Sequence, residues 1–115
     1  MKWTISYYDD NLKSDILSMS ESILAAYLST IDLLIEFGPT APLPNTNRID
    51  KIDKDLYRLC VSSDKKQIDF FCCTAKEGKI VILYRREHFD EMTEEQVGLI
   101  KKRQREVTTN GKAHA

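Results

Sequence analysis

The segment from Ser18 to Pro39 constrains the fold more than any other. Leu24, Tyr27, Leu28, Ile31, Leu34 and Ile35 recur at three- and four-residue spacing, the pattern of a helix with one apolar side. Leu33 and Phe37 widen that side. Gly38-Pro39 then stops the helix with a residue tolerant of left-handed backbone and one that cannot continue a helix. Ser18 and Glu21 have the spacing of a capping box, which predicts the helix start. So apolar a helix must bury its stripe, and the rest of the chain offers mainly strands to bury it against.

Trp3, Ile5 and Tyr7 alternate with Thr4, Ser6 and Tyr8, predicting a half-buried first strand. Asp9, Asp10 and Asn11 are good helix caps, and Leu12, Ile16 and Leu17 give a two-turn helix after them. Pro39 to Asn47 reads as a loop or extended crossover, and Arg48 to Ile52 as a short strand. Leu56 to Val61, Gln67 to Thr74 and Lys79 to Arg85 are β-branched, aromatic and cysteine-rich runs separated by turn residues, which predicts a three-stranded antiparallel meander. Thr93 is an expected N-cap, with Glu94 and Glu95 in the first turn and Lys101, Lys102, Arg103 and Arg105 toward the end, matching the helix dipole. The fold class is therefore α+β: two N-terminal helices packed on a small antiparallel sheet, in the order β-α-α-β-β-β-β-α. One domain is expected over residues 1–109, with 110–115 a flexible tail; 115 residues leave no room for a second domain.

The apolar stretch Ile23 to Leu28 is interrupted by Ser29 and Asp32, so no membrane span is expected, and the N-terminus lacks a secretory h-region. A cytoplasmic location follows as the expectation. Cys60, Cys72 and Cys73 lack the spacing of a metal site and read as reduced residues, the last two on opposite faces of a strand. No metal and no cofactor is expected. A net charge of −1 exerts no global pull on nucleic acid, so any such binding needs a local patch.

Strand alternation places Tyr57, Leu59 and Val61 toward the helices and Arg58 on the open face, with Asp69 as its expected cross-strand ion partner. Arg85, Arg86 and His88 gather at the end of the last strand, where a phosphodiester could meet positive charge and an imidazole. Each has a plain structural reading too, as an exposed ion pair, a solvated strand end or a helix complementing its dipole. No Walker loop, dinucleotide turn, zincin motif or nucleophile elbow is present.

Ile31 to Pro39, Leu43-Pro44, Asp55 to Leu59, Phe70 to Cys72 and Gly78 to Leu83 together resemble the RelE/ParE superfamily of bacterial toxins, in its HigB-like, phage-derived branch. The resemblance implies the toxin of a type II toxin–antitoxin module, an mRNA interferase that inhibits translation by ribosome-dependent mRNA cleavage. It implies Tyr84, His88 and Arg58 as catalytic residues and Arg85, Arg86, Lys101 and Lys102 as phosphate or RNA contacts. Replacing Arg85 and Arg86 together by Ala should then abolish toxicity without unfolding the protein. Implied partners are a helix-turn-helix antitoxin, the ribosome with its mRNA, and operator DNA reached through the antitoxin. Where the family carries Arg, this chain has Cys60 and Asp69. Those differences motivate an alternative: a protein of the same fold that binds a target such as gyrase, or only its antitoxin, without cutting RNA.

Overall fold

The computed structural model describes residues 2–44, 47–63, 65–87 and 91–110. Its elements run β1 (Thr4–Tyr7), α1 (Asp10–Leu17), α2 (Glu21–Phe37), β2 (Arg48–Asp53), β3 (Leu56–Ser63), β4 (Lys66–Ala75), β5 (Lys79–Glu87) and α3 (Glu94–Asn110). The chain is thus α+β, with a five-stranded sheet in the order β1-β5-β4-β3-β2. β2 to β5 form an antiparallel meander, and β1 joins β5 in parallel, so the sheet is mixed at that edge.

Both faces of the sheet are covered. The Tyr27 ring of α2 lies 4.7 Å from that of Phe70, and the Tyr27 and Tyr7 hydroxyls are 2.9 Å apart, which places α2 on the face carrying Leu59, Val61 and Phe70. The opposite face carries Phe71 and Tyr84, and there α3 packs, burying Ile100 and Val107. Double coverage explains why Cys72 and Cys73, on opposite faces as alternation requires, are both buried.

α2 is the segment with the strongest helical periodicity, but its buried side is Ile23, Tyr27, Thr30, Ile31 and Leu34. Leu28 and Phe37, expected within the stripe, are 45% and 50% exposed, because the apolar arc is wider than the sheet can cover. By length and composition Glu21–Thr40 is long and apolar enough to cross a bilayer; in this fold its inner side belongs to the core.

Capping differs from expectation in one place. Asp9 does cap α1, its side chain accepting from the Leu12 N–H at 2.8 Å. Ser18, however, closes the C-terminus of α1 instead of opening α2: its Oγ donates to the Ser14 carbonyl, and α2 begins after Ser20 without a side-chain cap. The reciprocal capping box occurs at α3, where the Thr93 Oγ1 accepts from the Gln96 N–H at 3.1 Å and the Gln96 Oε1 accepts from the Thr93 N–H at 3.0 Å. α3 also continues to Asn110, so Lys101 to Arg105 lie in mid-helix and no basic residue occupies its last turn. The expected dipole match holds only at its N-terminus. The expected tail at 110–115 lies, from Gly111 on, outside the described residues.

Asn47 ties the crossover to both layers. Its Nδ2 donates to Thr30 Oγ1 on α2 at 3.1 Å, and its Oδ1 accepts from the Ser62 N–H on β3 at 2.9 Å. Thr30 is 1% exposed and already donates to the Ala26 carbonyl. Asn47→Ala is expected to cost about 1–2 kcal/mol by leaving these groups short of a partner. Urea denaturation, with a lowered midpoint at unchanged slope, is the check.

Candidate functional site

The strand register arranges the chemistry-bearing side chains in two rows across the face that α3 packs on. One row runs Arg48 on β2, Cys60 on β3, Asp69 on β4 and Arg86 on β5. The neighbouring row runs Asp50, Arg58, Phe71 and Tyr84 over the same four strands. Alternation carries Arg58 and Cys60 to one face, and antiparallel pairing then brings their partners alongside.

Asp69 is the centre of this face, with no exposure to solvent. Cys60 Sγ donates to its Oδ1 at 3.0 Å, and Arg86 Nε stands 3.5 Å from its Oδ2. The expected Arg58–Asp69 pair is replaced by two others. Arg58 lies opposite Phe71, two residues along from Asp69, and its Nη2 reaches Asp50 Oδ2 at 3.2 Å. Asp69 takes Arg86, directly opposite it on β5. The pairing therefore follows direct cross-strand neighbours, which come from the register of β2 and β5.

Arg85 and Arg86 do not act together. They are consecutive in a strand and point to opposite faces: Arg85 sits opposite Phe70 and binds Asp15 of α1 at 2.8 Å, across the sheet from Arg86. Lys101 forms an ion pair with Asp53 at 3.4 Å, and Lys102 is exposed on α3. His88 lies outside the described residues. Of the expected site residues, the fold thus brings together Arg58, Tyr84 and Arg86.

Two neighbours are not among the expected site residues. Arg48 donates from Nε to Asp50 Oδ2 at 2.9 Å, so one carboxylate oxygen is shared by two guanidiniums. The alternating charges of Arg48-Ile49-Asp50 were the available signal. Arg103 reaches in from α3, its guanidinium 4.5 Å from the Tyr8 ring centre and 6.0 Å from that of Tyr84. Its Nη1 donates to the Leu83 carbonyl at 2.7 Å. Leu83 is the extra residue of a bulge, since Phe71 pairs with Tyr84 and Cys72 with Ile82. Arg103 therefore serves a carbonyl at the point where the ladder is disrupted, and fixes the strand beside Tyr84.

The cysteines are not nucleophiles. Burial, and then the adjacent Asp69 carboxylate, push the Cys60 thiol up to about 11, and burial pushes Cys72 and Cys73 to about 12. At neutral pH all three stay protonated, and Cys60 acts as a hydrogen-bond donor. Asp50 is held below the ordinary carboxylate range, first by the hydrogen bond from Arg48 and further by that from Arg58, against the desolvation that opposes it. Among the described residues no group of three or more His, Cys, Asp or Glu is placed to hold a metal.

A cleft of about 590 Å³ opens elsewhere, beside the β4–β5 turn and the end of α3. It is lined by Asp55, Thr74, Lys76, Glu77 and Lys79 among others, and by none of the expected site residues. Its size does not make it the site, because its cations and carboxylates balance and the arginines of the two rows lie toward the other end of β4. No family model, no curated protein and no solved structure matches the chain.

Proposed function

We propose that this domain is the toxin of a type II toxin–antitoxin module, an mRNA interferase acting in the cytoplasm on mRNA in the ribosome. The observation that carries the reading is that Arg58, Tyr84 and Arg86 share the sheet face opposite α1 and α2. It is joined by the order of strands and helices along the chain, which is the one the resemblance implies. In this mechanism the ribose 2′-oxygen attacks the adjacent phosphorus and the 5′-oxygen of the next nucleotide leaves. Arg58 and Arg86 stabilise the charge that builds on the phosphoryl oxygens, and the Tyr84 phenol relays a proton. No cofactor is required. His88 would serve as a second proton-transfer group, and a helix-turn-helix antitoxin would silence the protein and carry it to operator DNA.

Mapping RNA 5′ ends within minutes of induction in a bacterial host tests this. New ends confined to translated codons are expected, falling about 100-fold in Tyr84→Phe. Arg58→Ala is the companion variant, because Asp50 keeps Arg48 and both sites are partly exposed. An unchanged map with soluble protein present would remove the nuclease role.

One observation favours a second reading, a target-binding protein without nuclease activity. Asp69 occupies the centre of the face as a buried carboxylate, and it engages Arg86. A transition state lacking one charge-stabilising donor loses about 3 kcal/mol. Intact RNA beside an induced DNA-damage response would support gyrase-type binding, and a host without growth phenotype would point to an inactive remnant.

A further inference from the structure

Asp50 presents one carboxylate oxygen to two guanidiniums, with Arg48 Nε at 2.9 Å and Arg58 Nη2 at 3.2 Å. The three side chains are open to solvent, at 57% for Arg48, 41% for Asp50 and 30% for Arg58. They line the β2 edge of the face, next to the Cys60–Asp69 pair. Asp50 occupies one Nη of Arg58 and the Nε of Arg48, so the other terminal nitrogens of the fork are not engaged by it.

A carboxylate oxygen held by two arginines has the charge and hydrogen-bonding character of a backbone phosphate oxygen. An exposed ion pair of this kind contributes little to stability, so an incoming anion can displace it at small cost. We infer that Arg48 and Arg58 form a phosphate subsite for single-stranded RNA, and that Asp50 is its built-in occupant, a competing anion that sets how tightly the backbone is held. The inference rests on the RNA-directed reading above, and it adds Arg48 as a binding residue and Asp50 as a brake on affinity. Arg86 lies on the same face, two strands from Arg58 and two residues along, about 12 Å away by ordinary strand spacings.

The test is binding of a short fluorescein-labelled oligouridylate to purified protein, by anisotropy across a salt series, for wild type, Asp50→Asn, Arg48→Ala and the Arg48→Ala/Asp50→Asn pair. Asp50→Asn keeps the side-chain shape and removes the competing charge. Its expected result is about tenfold tighter binding at low salt and a steeper salt dependence, by about one released ion. Adding Arg48→Ala should reverse most of both changes. An Asp50→Asn protein that melts like wild type yet binds no more tightly would overturn the inference. So would tightening that survives loss of Arg48, since a general change of net charge would then explain it. Cleavage is read separately from the 5′-end map: tightening without cleavage leaves this subsite standing while the nuclease reading fails, and cleavage without tightening does the reverse.

Discussion

Arg86→Ala is expected to lower the stability of the domain by about 3 kcal/mol, a loss of about 10 °C or more in Tm. The Arg86 side chain is 10% exposed and Asp69 not at all, so removing the guanidinium strips a cation from beside a carboxylate that water cannot reach. The Cys60 thiol at 3.0 Å donates one hydrogen bond, which does not balance a buried charge. Thermal denaturation followed by circular dichroism measures the effect. Asp69→Asn in the same chain should recover about half of it, because an amide has no charge to compensate, and Arg86→Lys should lose less than Ala. A melting curve for Arg86→Ala within 1 °C of wild type would show that the pair contributes nothing. A loss of that size would overturn the expectation that Arg85 and Arg86 can be removed together without harm to the fold. Loss of toxicity in that double variant would report unfolding before it reported phosphate binding, and so Arg58→Ala and Tyr84→Phe are the informative substitutions.

Gly38→Ala is expected to cost a similar amount, about 3 kcal/mol, for a steric reason. Gly38 has φ +71° and ψ −158°, a region in which a side chain collides with its own backbone. A methyl group there would also lie 2.5 Å from the indole ring of Trp3. The backbone that carries the ring is held, because the Trp3 backbone N–H donates to the Ile35 carbonyl at 2.8 Å and Trp3 leads directly into β1. Trp3 is the single tryptophan of the chain, so its emission should shift in the variant and report on that contact. In a Trp3→Ala background the same glycine substitution should cost only the backbone share, about 1–2 kcal/mol. Equal costs in both backgrounds would mean that the indole gives way.

Much of the fold was legible because its signals are local. The periodicity of α2, the caps at Asp9 and Thr93, and the turn residues between β3, β4 and β5 are each set within a few positions, and all lie where expected. The capping box assigned to Ser18 failed because α1 reaches Leu17 and uses Ser18 for its own end. Less of the site was legible, since it depends on register. Nothing near Arg58 in sequence says whether β4 or β2 supplies its carboxylate, and the bulge at Leu83 shifts β5 against β4. The separation of Arg85 from Arg86 was within reach, however. The alternation that sends Cys72 and Cys73 to opposite faces applies equally to two consecutive arginines in the next strand. The burial of Asp69 depends on where α3 lies, and α3 is connected through a segment whose residues carry no periodic signal.

The place of β1 in the sheet has a kinetic consequence. Thr4 pairs with Lys79 and Tyr7 with Ile82, so the first strand made has no partner until nearly the last strand has left the synthesis machinery. Through that interval the sheet under α2 is incomplete, and its Leu28 and Phe37 remain uncovered even in the finished fold. Long-range closure of this kind slows folding and prolongs the lifetime of a sticky intermediate. A chain cut short before β5 would keep α1 and α2 but lose α3 and the strand that joins β1 to the meander, and aggregation is the expected fate of such a fragment.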